Sequence, residues 1–140
     1  FVVSLSEYDQ KCYEDDATNR MQESLQVFEE TINGQMLRDT LIILLLNKMD
    51  LFEQKFTQKK NFEQFFPDYD SPMDMGGELT PVQHACQYIE DMYLEKNKFD
   101  PDRVVTHFTC AIQAESVQKT MDQIKSNVAQ YHLGQSNRAL

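Results

Sequence analysis

Basic residues are scarce in this chain of 140 residues: 13 Lys and Arg stand against 23 Asp and Glu, for a net charge of −10. A surface that grips the backbone of DNA or RNA needs clustered cations, so nucleic acid is not an expected partner. Long apolar runs are also missing. The longest, Leu41 to Leu46, has six residues, far short of the roughly 20 that a membrane-spanning helix needs. Phe1 to Leu5 does not read as a signal peptide, being too short for an apolar core and lacking a basic flank. Cysteine is sparse and odd in number. Cys12, Cys86 and Cys110 are widely spaced, with no C-x-x-C and no Cys/His pattern, which fits reduced thiols in a cytosolic protein better than a disulfide framework.

What is present suffices for one domain with one core. Hydrophobic residues make up 41% and aromatic residues 11%, too much apolar side chain for a disordered chain. No internal repeat, low-complexity tract or interdomain linker stands out. The chain begins with Phe, inside an apolar strand-like segment, and so reads as a piece of something longer.

Hydrophobic spacing supplies the elements. Phe1-Val-Val-Ser-Leu is β-rich and short, a strand. Glu7 to Thr18 is polar and reads as a loop. Met21, Leu25, Phe28 and Ile32 trace one face of a helix that Asn33-Gly34 stops. Leu41 to Leu46 is continuously apolar, as expected of a strand buried on both faces of a parallel sheet. Lys55 to Gly77 is aromatic-rich but aperiodic and reads as a long irregular connection, with at most a short helix after Asp50. Thr80-Pro81 with Gln83 forms a capping box, followed by the stripe Val82, Ala85, Cys86, Ile89 and Tyr93. Val104 to Cys110 is a third strand. Val117, Met121, Ile124, Val128 and Tyr131 mark a terminal helix of about five turns. The alternation of strands and helices gives an α/β fold: a parallel sheet flanked by helices.

In open α/β sheets ligands bind beyond the carboxyl ends of the strands. Three segments emerge there: Ser6-Glu7-Tyr8-Asp9, Asn47-Lys48-Met49-Asp50 and Thr109-Cys110-Ala111. The second has a chemical reading. Guanine presents N1–H and an exocyclic amino group on one edge, and the Asp50 carboxylate offers two acceptors at matching separation. Adenine would leave that carboxylate partly unpaired, at a cost on the order of 1–3 kcal/mol. The Lys48 stem can cover a flat base while its ammonium reaches out. Asn47 can bond to the base and to neighbouring backbone, and Ala111 can give a backbone N–H to the guanine carbonyl. The competing reading is that Asn47 and Asp50 only cap a turn and open a helix.

These residues carry a resemblance. "LSEYDQ" (Leu5 to Gln10), "ED" (Glu14, Asp15), "NRMQESLQVFEETIN" (Asn19 to Asn33), "DTLIILLLNKMDLFEQK" (Asp39 to Lys55), "FPDY" (Phe66 to Tyr69) and "THFTCA" (Thr106 to Ala111) stand in the order and spacing of the alpha subunits of heterotrimeric G proteins. Small Ras-like GTPases share N-K-x-D but not "SEYDQ" or "NRMQES". The chain resembles the carboxyl-terminal half of the Ras-like, P-loop GTPase domain of that family, over nearly its whole length.

The resemblance implies a GTP-hydrolysing switch in receptor-coupled signalling at the inner face of the plasma membrane, with GTP or GDP and Mg²⁺ as ligands. Asn47, Lys48 and Asp50 would hold guanine, with Thr109, Cys110 and Ala111 as the other base loop. Implied partners are the beta-gamma complex, a seven-helix receptor at the last helix and tail (about residues 114–140), and an effector at Asn19 to Thr40. Two features depart from the family pattern: Ile112-Gln113-Ala114-Glu115 after T-C-A, and the tail "HLGQSNRAL". The chain also contains no G-x-x-x-x-G-K-[ST] loop, no D-x-x-G, no switch Thr for Mg²⁺, no catalytic Arg and no water-positioning Gln of the family. The expectation is the base-reading half of a nucleotide site without the hydrolytic half. The rival is a non-catalytic module that binds receptor or effector through its helices.

Other candidates read as structural. Glu14-Asp15-Asp16 reads as a solvated loop and Cys110 as a packed thiol. His84 and His132 are expected to face solvent, and His107 to be packed or hydrogen-bonded. Phe62, Phe65, Phe66 and Tyr69 are expected to pack a long loop onto the core.

Overall fold

The computed structural model describes residues 1–14, 16–70, 79–110 and 114–138, with the side chains of 114–116 and 135–138 left out of the description. Three parallel strands, β1 (Val2–Ser4), β2 (Ile42–Asn47) and β3 (Val104–Phe108), form one sheet in the order β1-β2-β3. The register sets Ser4 beside Asn47 and Leu46 beside Phe108, so the carboxyl ends of all three strands lie together.

Helix α1 (Arg20–Ile32) starts where Asn19 accepts from the Met21 and Gln22 amides at 2.8 and 3.3 Å. Such a cap satisfies amides the helix cannot pair itself. Met21, Leu25, Phe28 and Ile32 are its buried residues, the stripe read from spacing. Helix α4 (Pro81–Leu94) has the expected capping box, with Thr80 and Gln83 bonding reciprocally and Pro81 in the first turn. Its Ala85, Cys86, Ile89 and Tyr93 join the α1 stripe and Leu44 and Leu46 of β2 in one core. Phe28 and Tyr93 meet edge to face at 5.3 Å.

Three expectations need correction. The connection after β2 is more ordered than its sequence suggests: α2 (Met49–Lys59) and α3 (Phe62–Phe65) occupy much of it. Phe52, Phe62, Phe66 and Tyr69 are buried there, and Phe62 meets Phe66 at 4.7 Å and Tyr69 at 4.9 Å. These residues pack onto the core, as expected, Phe62 and Phe65 from a helical turn and Phe66 and Tyr69 from the residues after it. Periodicity hid them because α2 buries little else and ends at Lys60, in the left-handed region at φ 48°.

The second correction concerns β2, which is buried on one face only. Ile42, Leu44 and Leu46 are buried, whereas Leu41, Ile43 and Leu45 are half-buried. The half-covered face belongs to α5 (Ala114–Arg138), where Leu41, Val105, Asn127 and Tyr131 line a shared cavity of about 260 Å³. Third, α5 is longer than predicted and its apolar stripe is divided. Ile124 and Tyr131 are half-buried and Thr120 is buried, but Val117, Met121 and Val128 remain 38, 43 and 36% exposed. A helix that crosses the sheet can bury only the side chains on its inward face.

Candidate functional site

At the carboxyl end of β2 the backbone turns sharply. Lys48 sits in the left-handed region at φ 61° and ψ 40° and precedes α2 as its cap. A residue with a Cβ disfavours that region, so something must hold it. Asn47 does: its side-chain oxygen accepts from the Lys48 amide at 2.8 Å and from the Thr109 hydroxyl at 3.1 Å. The Thr109 amide also donates to Leu46 at 2.9 Å, and the Met49 amide to Thr109 at 3.3 Å. The structure thus brings Asn47, Lys48 and Thr109 together, from segments 62 residues apart at their Asn47–Thr109 link. Cys110 follows as a half-exposed free thiol, and Ala111 lies outside the described residues.

Asp50 lies in the first turn of α2 and is half-buried. A carboxylate there is favoured by the unpaired amides of the helix start. No hydrogen bond or ion pair to Asp50 exists among the described residues, and the Asn47 amide nitrogen is likewise without a protein partner. The turn-capping role read for this motif is therefore real for Asn47, through its oxygen, but does not extend to the Asp50 side chain. Two acceptors and one amide donor remain for a ligand at one end of the sheet.

The Ser6–Asp9 segment closes the site from behind. A 3₁₀ turn at Leu5–Glu7 follows β1 and leads to Tyr8, which is fully buried against Phe52 and Phe62 and donates to Asn61 at 2.8 Å. Burial, with the Asp9 charge beside it, pushes the Tyr8 phenol up to about 12, so it stays a neutral donor. The Asp9 carboxylate receives Lys55 at 2.6 Å and Lys59 at 2.5 Å, and Lys55 also reaches the Ser6 carbonyl at 2.7 Å. Burial alone would raise the Asp9 carboxyl; the hydrogen bonds and charges of the two lysines outweigh it and hold it below its usual value. Glu7 faces the other way, to Lys48 and Arg20, each at 3.3 Å. The sequence placed Ser6–Asp9 at this end of the sheet but named no role within it. The signal was its pair of acids opposite the lysine-bearing "NKMDLFEQK".

Elsewhere, His107 bonds to Asn127 at 3.2 Å, as expected for a structural histidine. His84 departs from expectation: it is half-buried and bonds the Tyr69 hydroxyl at 3.2 Å, because the 62–69 aromatic cluster folds over α4. Glu14 and Asp16 are exposed, and Asp15 lies outside the described residues. Among the described residues no cluster of His, Cys, Asp or Glu could hold a metal ion, and no helix is long and apolar enough to cross a membrane.

The family described as "G-protein alpha subunit" matches residues 1–128. The chain belongs to the G-protein alpha subunit family. Relatives include the guanine nucleotide-binding protein G(o) subunit alpha of Locusta migratoria, 40% identical over 89% of this chain and 33% of that protein. The G-protein complex alpha subunit gpaA of Aspergillus fumigatus is 35% identical over 95% of this chain and 35% of its own length. The guanine nucleotide-binding protein alpha-1 subunit of Neurospora crassa matches to the same extent. The chain thus spans about a third of the length of these alpha subunits. Its three-stranded parallel sheet with flanking helices is consistent with a Ras-like GTPase domain fragment.

Proposed function

We propose that this chain carries the guanine-reading portion of a G-protein alpha-subunit switch. The observation that carries the reading is the Asp50 carboxylate, half-buried at a helix start and without a hydrogen bond or ion pair among the described residues, beside an Asn47 side chain whose oxygen accepts from the Lys48 amide and the Thr109 hydroxyl. Asp50 accepts N1–H and the amino group of guanine. Asn47 donates its free amide, and the Lys48 stem lies over the base. Thr109 and Cys110, with Ala111 next in sequence, are the proposed second base loop, and the reading assigns the guanine carbonyl to the Ala111 amide. Adenine lacks the paired donors, so discrimination comes from leaving a carboxylate unpaired.

The sequence of these 140 residues holds no phosphate-cradling glycine loop, so the reading assigns phosphate, Mg²⁺ and hydrolysis to sequence outside them. In the complete switch, GTP with Mg²⁺ orders the effector-binding state and hydrolysis releases it. The beta-gamma complex, an effector at Asn19 to Thr40, a receptor at α5 and its tail, and a place at the inner face of the plasma membrane complete the proposal.

Calorimetry of GDP and ADP with the 140-residue chain tests it. Weak binding of GDP, with none of ADP, is expected. Asp50→Asn should lose guanine and gain xanthine, which has a carbonyl where guanine has its amino group. Undetectable GDP binding at millimolar nucleotide would overturn the reading and leave the interaction module.

A further inference from the structure

We propose that Glu7 is a positioning residue of the base site, acting through Lys48; this rests on the guanine reading above. One Glu7 carboxylate oxygen meets Lys48 Nζ at 3.3 Å and the other meets Arg20 Nε at 3.3 Å. The Glu7 side chain is 21% exposed, against 43% for Lys48 and 48% for Arg20. A shielded acid thus anchors two more exposed cations.

The consequence for Lys48 follows from its two ends. Its backbone is fixed in the left-handed region by Asn47, and its ammonium is fixed by Glu7, 41 residues away in sequence. The four-carbon stem between them is restrained before any ligand arrives. An unrestrained lysine has many rotamers to lose when it covers a base, and Glu7 removes part of that entropy from the binding step. The tether also occupies the ammonium. Lys48 is two residues from Asp50 and would otherwise be free to pair with it; held by Glu7, it leaves the Asp50 carboxylate available for the base.

The test is an NMR titration of the 140-residue chain with GDP, with ADP in parallel. Glu7→Gln, which keeps the shape and removes the charge, should weaken GDP about two- to fivefold, the range of a partly exposed ion pair. The loss should shrink in molar salt, where charges are screened within about 3 Å. Lys48→Met keeps the stem and removes the ammonium, so adding Glu7→Gln to it should change nothing further. Lys59→Ala breaks a neighbouring ion pair of the same turn and should leave GDP affinity unchanged. Wild-type affinity in Glu7→Gln, or an undiminished loss in the Lys48→Met background, would overturn the role of Glu7. An equal loss in Lys59→Ala would overturn it too, by showing general loosening of the turn. A wild-type chain that does not prefer GDP over ADP would overturn the guanine reading itself, and this proposal with it.

Discussion

The two ends of the sheet treat polar groups in opposite ways. At the amino end Arg103 is fully buried and spends its guanidinium on the protein itself. It donates to the carbonyls of Ile32 and Leu37 at 2.5 Å, to that of Arg38 at 2.8 Å and to the Asn97 side chain at 3.0 Å, and it lies 5.1 Å from the Phe99 ring. Asn33 adds bonds to the Glu29 and Lys96 carbonyls, both at 2.8 Å. At the carboxyl end Asp50 and the Asn47 amide nitrogen have no hydrogen-bond or ion-pair partner among the described residues. Closed polar groups build a fold, because burying them unpaired is costly. Polar groups left open in a half-buried site are the ones that the proposed guanine reading uses.

Substitution should reproduce that contrast in stability. Arg103→Met strands three backbone carbonyls and should lower the unfolding free energy by about 3 kcal/mol in urea titration, the largest effect among these groups. A loss below about 1 kcal/mol would mean that the amino end is not the closed one. Asp9→Asn should cost about 1–2 kcal/mol at pH 7, since two charged hydrogen bonds weaken together. Its sign with pH is fixed by the depressed Asp9 carboxyl. The wild-type advantage is fully present above the unfolded carboxylate value, about 3.9, and is lost as pH falls through the lower folded value. Melting curves of variant and wild type should therefore converge in acid, and curves that stay parallel would remove Asp9 as the cause. Asp50→Asn should change stability least, by about 0.5 kcal/mol, because among the described residues no hydrogen bond or ion pair to Asp50 is lost and only the favourable charge at the helix start goes. A large destabilisation would make Asp50 a structural group and break the contrast.

Much of this was legible in the sequence, for identifiable reasons. Helix α1 and the capped start of α4 are local patterns: a repeat of buried residues near 3.6 and a four-residue box read without a partner. The meeting of Asn47 and Lys48 at the end of β2 was legible because both stand in one short loop after an apolar run, and the base-reading role proposed for them with Asp50 uses groups of that one loop. Helix α2 was legible only as a short helix after Asp50 and not in its full length, because Phe52 and Phe56 make a thin stripe and the Lys55–Lys59 face is defined by Asp9, far away in the chain. Glu7 escaped for the same reason. Its contact with Lys48 spans 41 residues, and no local pattern carries a bond of that reach. The divided stripe of α5 shows the converse: periodic apolar residues announce a helix but do not say which of them a given sheet will cover.

The left-handed backbone of Lys48 bears on how fast a ligand can be captured. That conformation is held by protein groups, the Asn47 side chain and Thr109. On the proposed guanine reading, the Asn47–Lys48 turn is then already in shape for a base, and capture there is expected without a slow backbone step. The same proposal expects association to follow how often a base arrives edge-on to Asp50, and the lifetime of the complex to follow how firmly the rest of the site holds on.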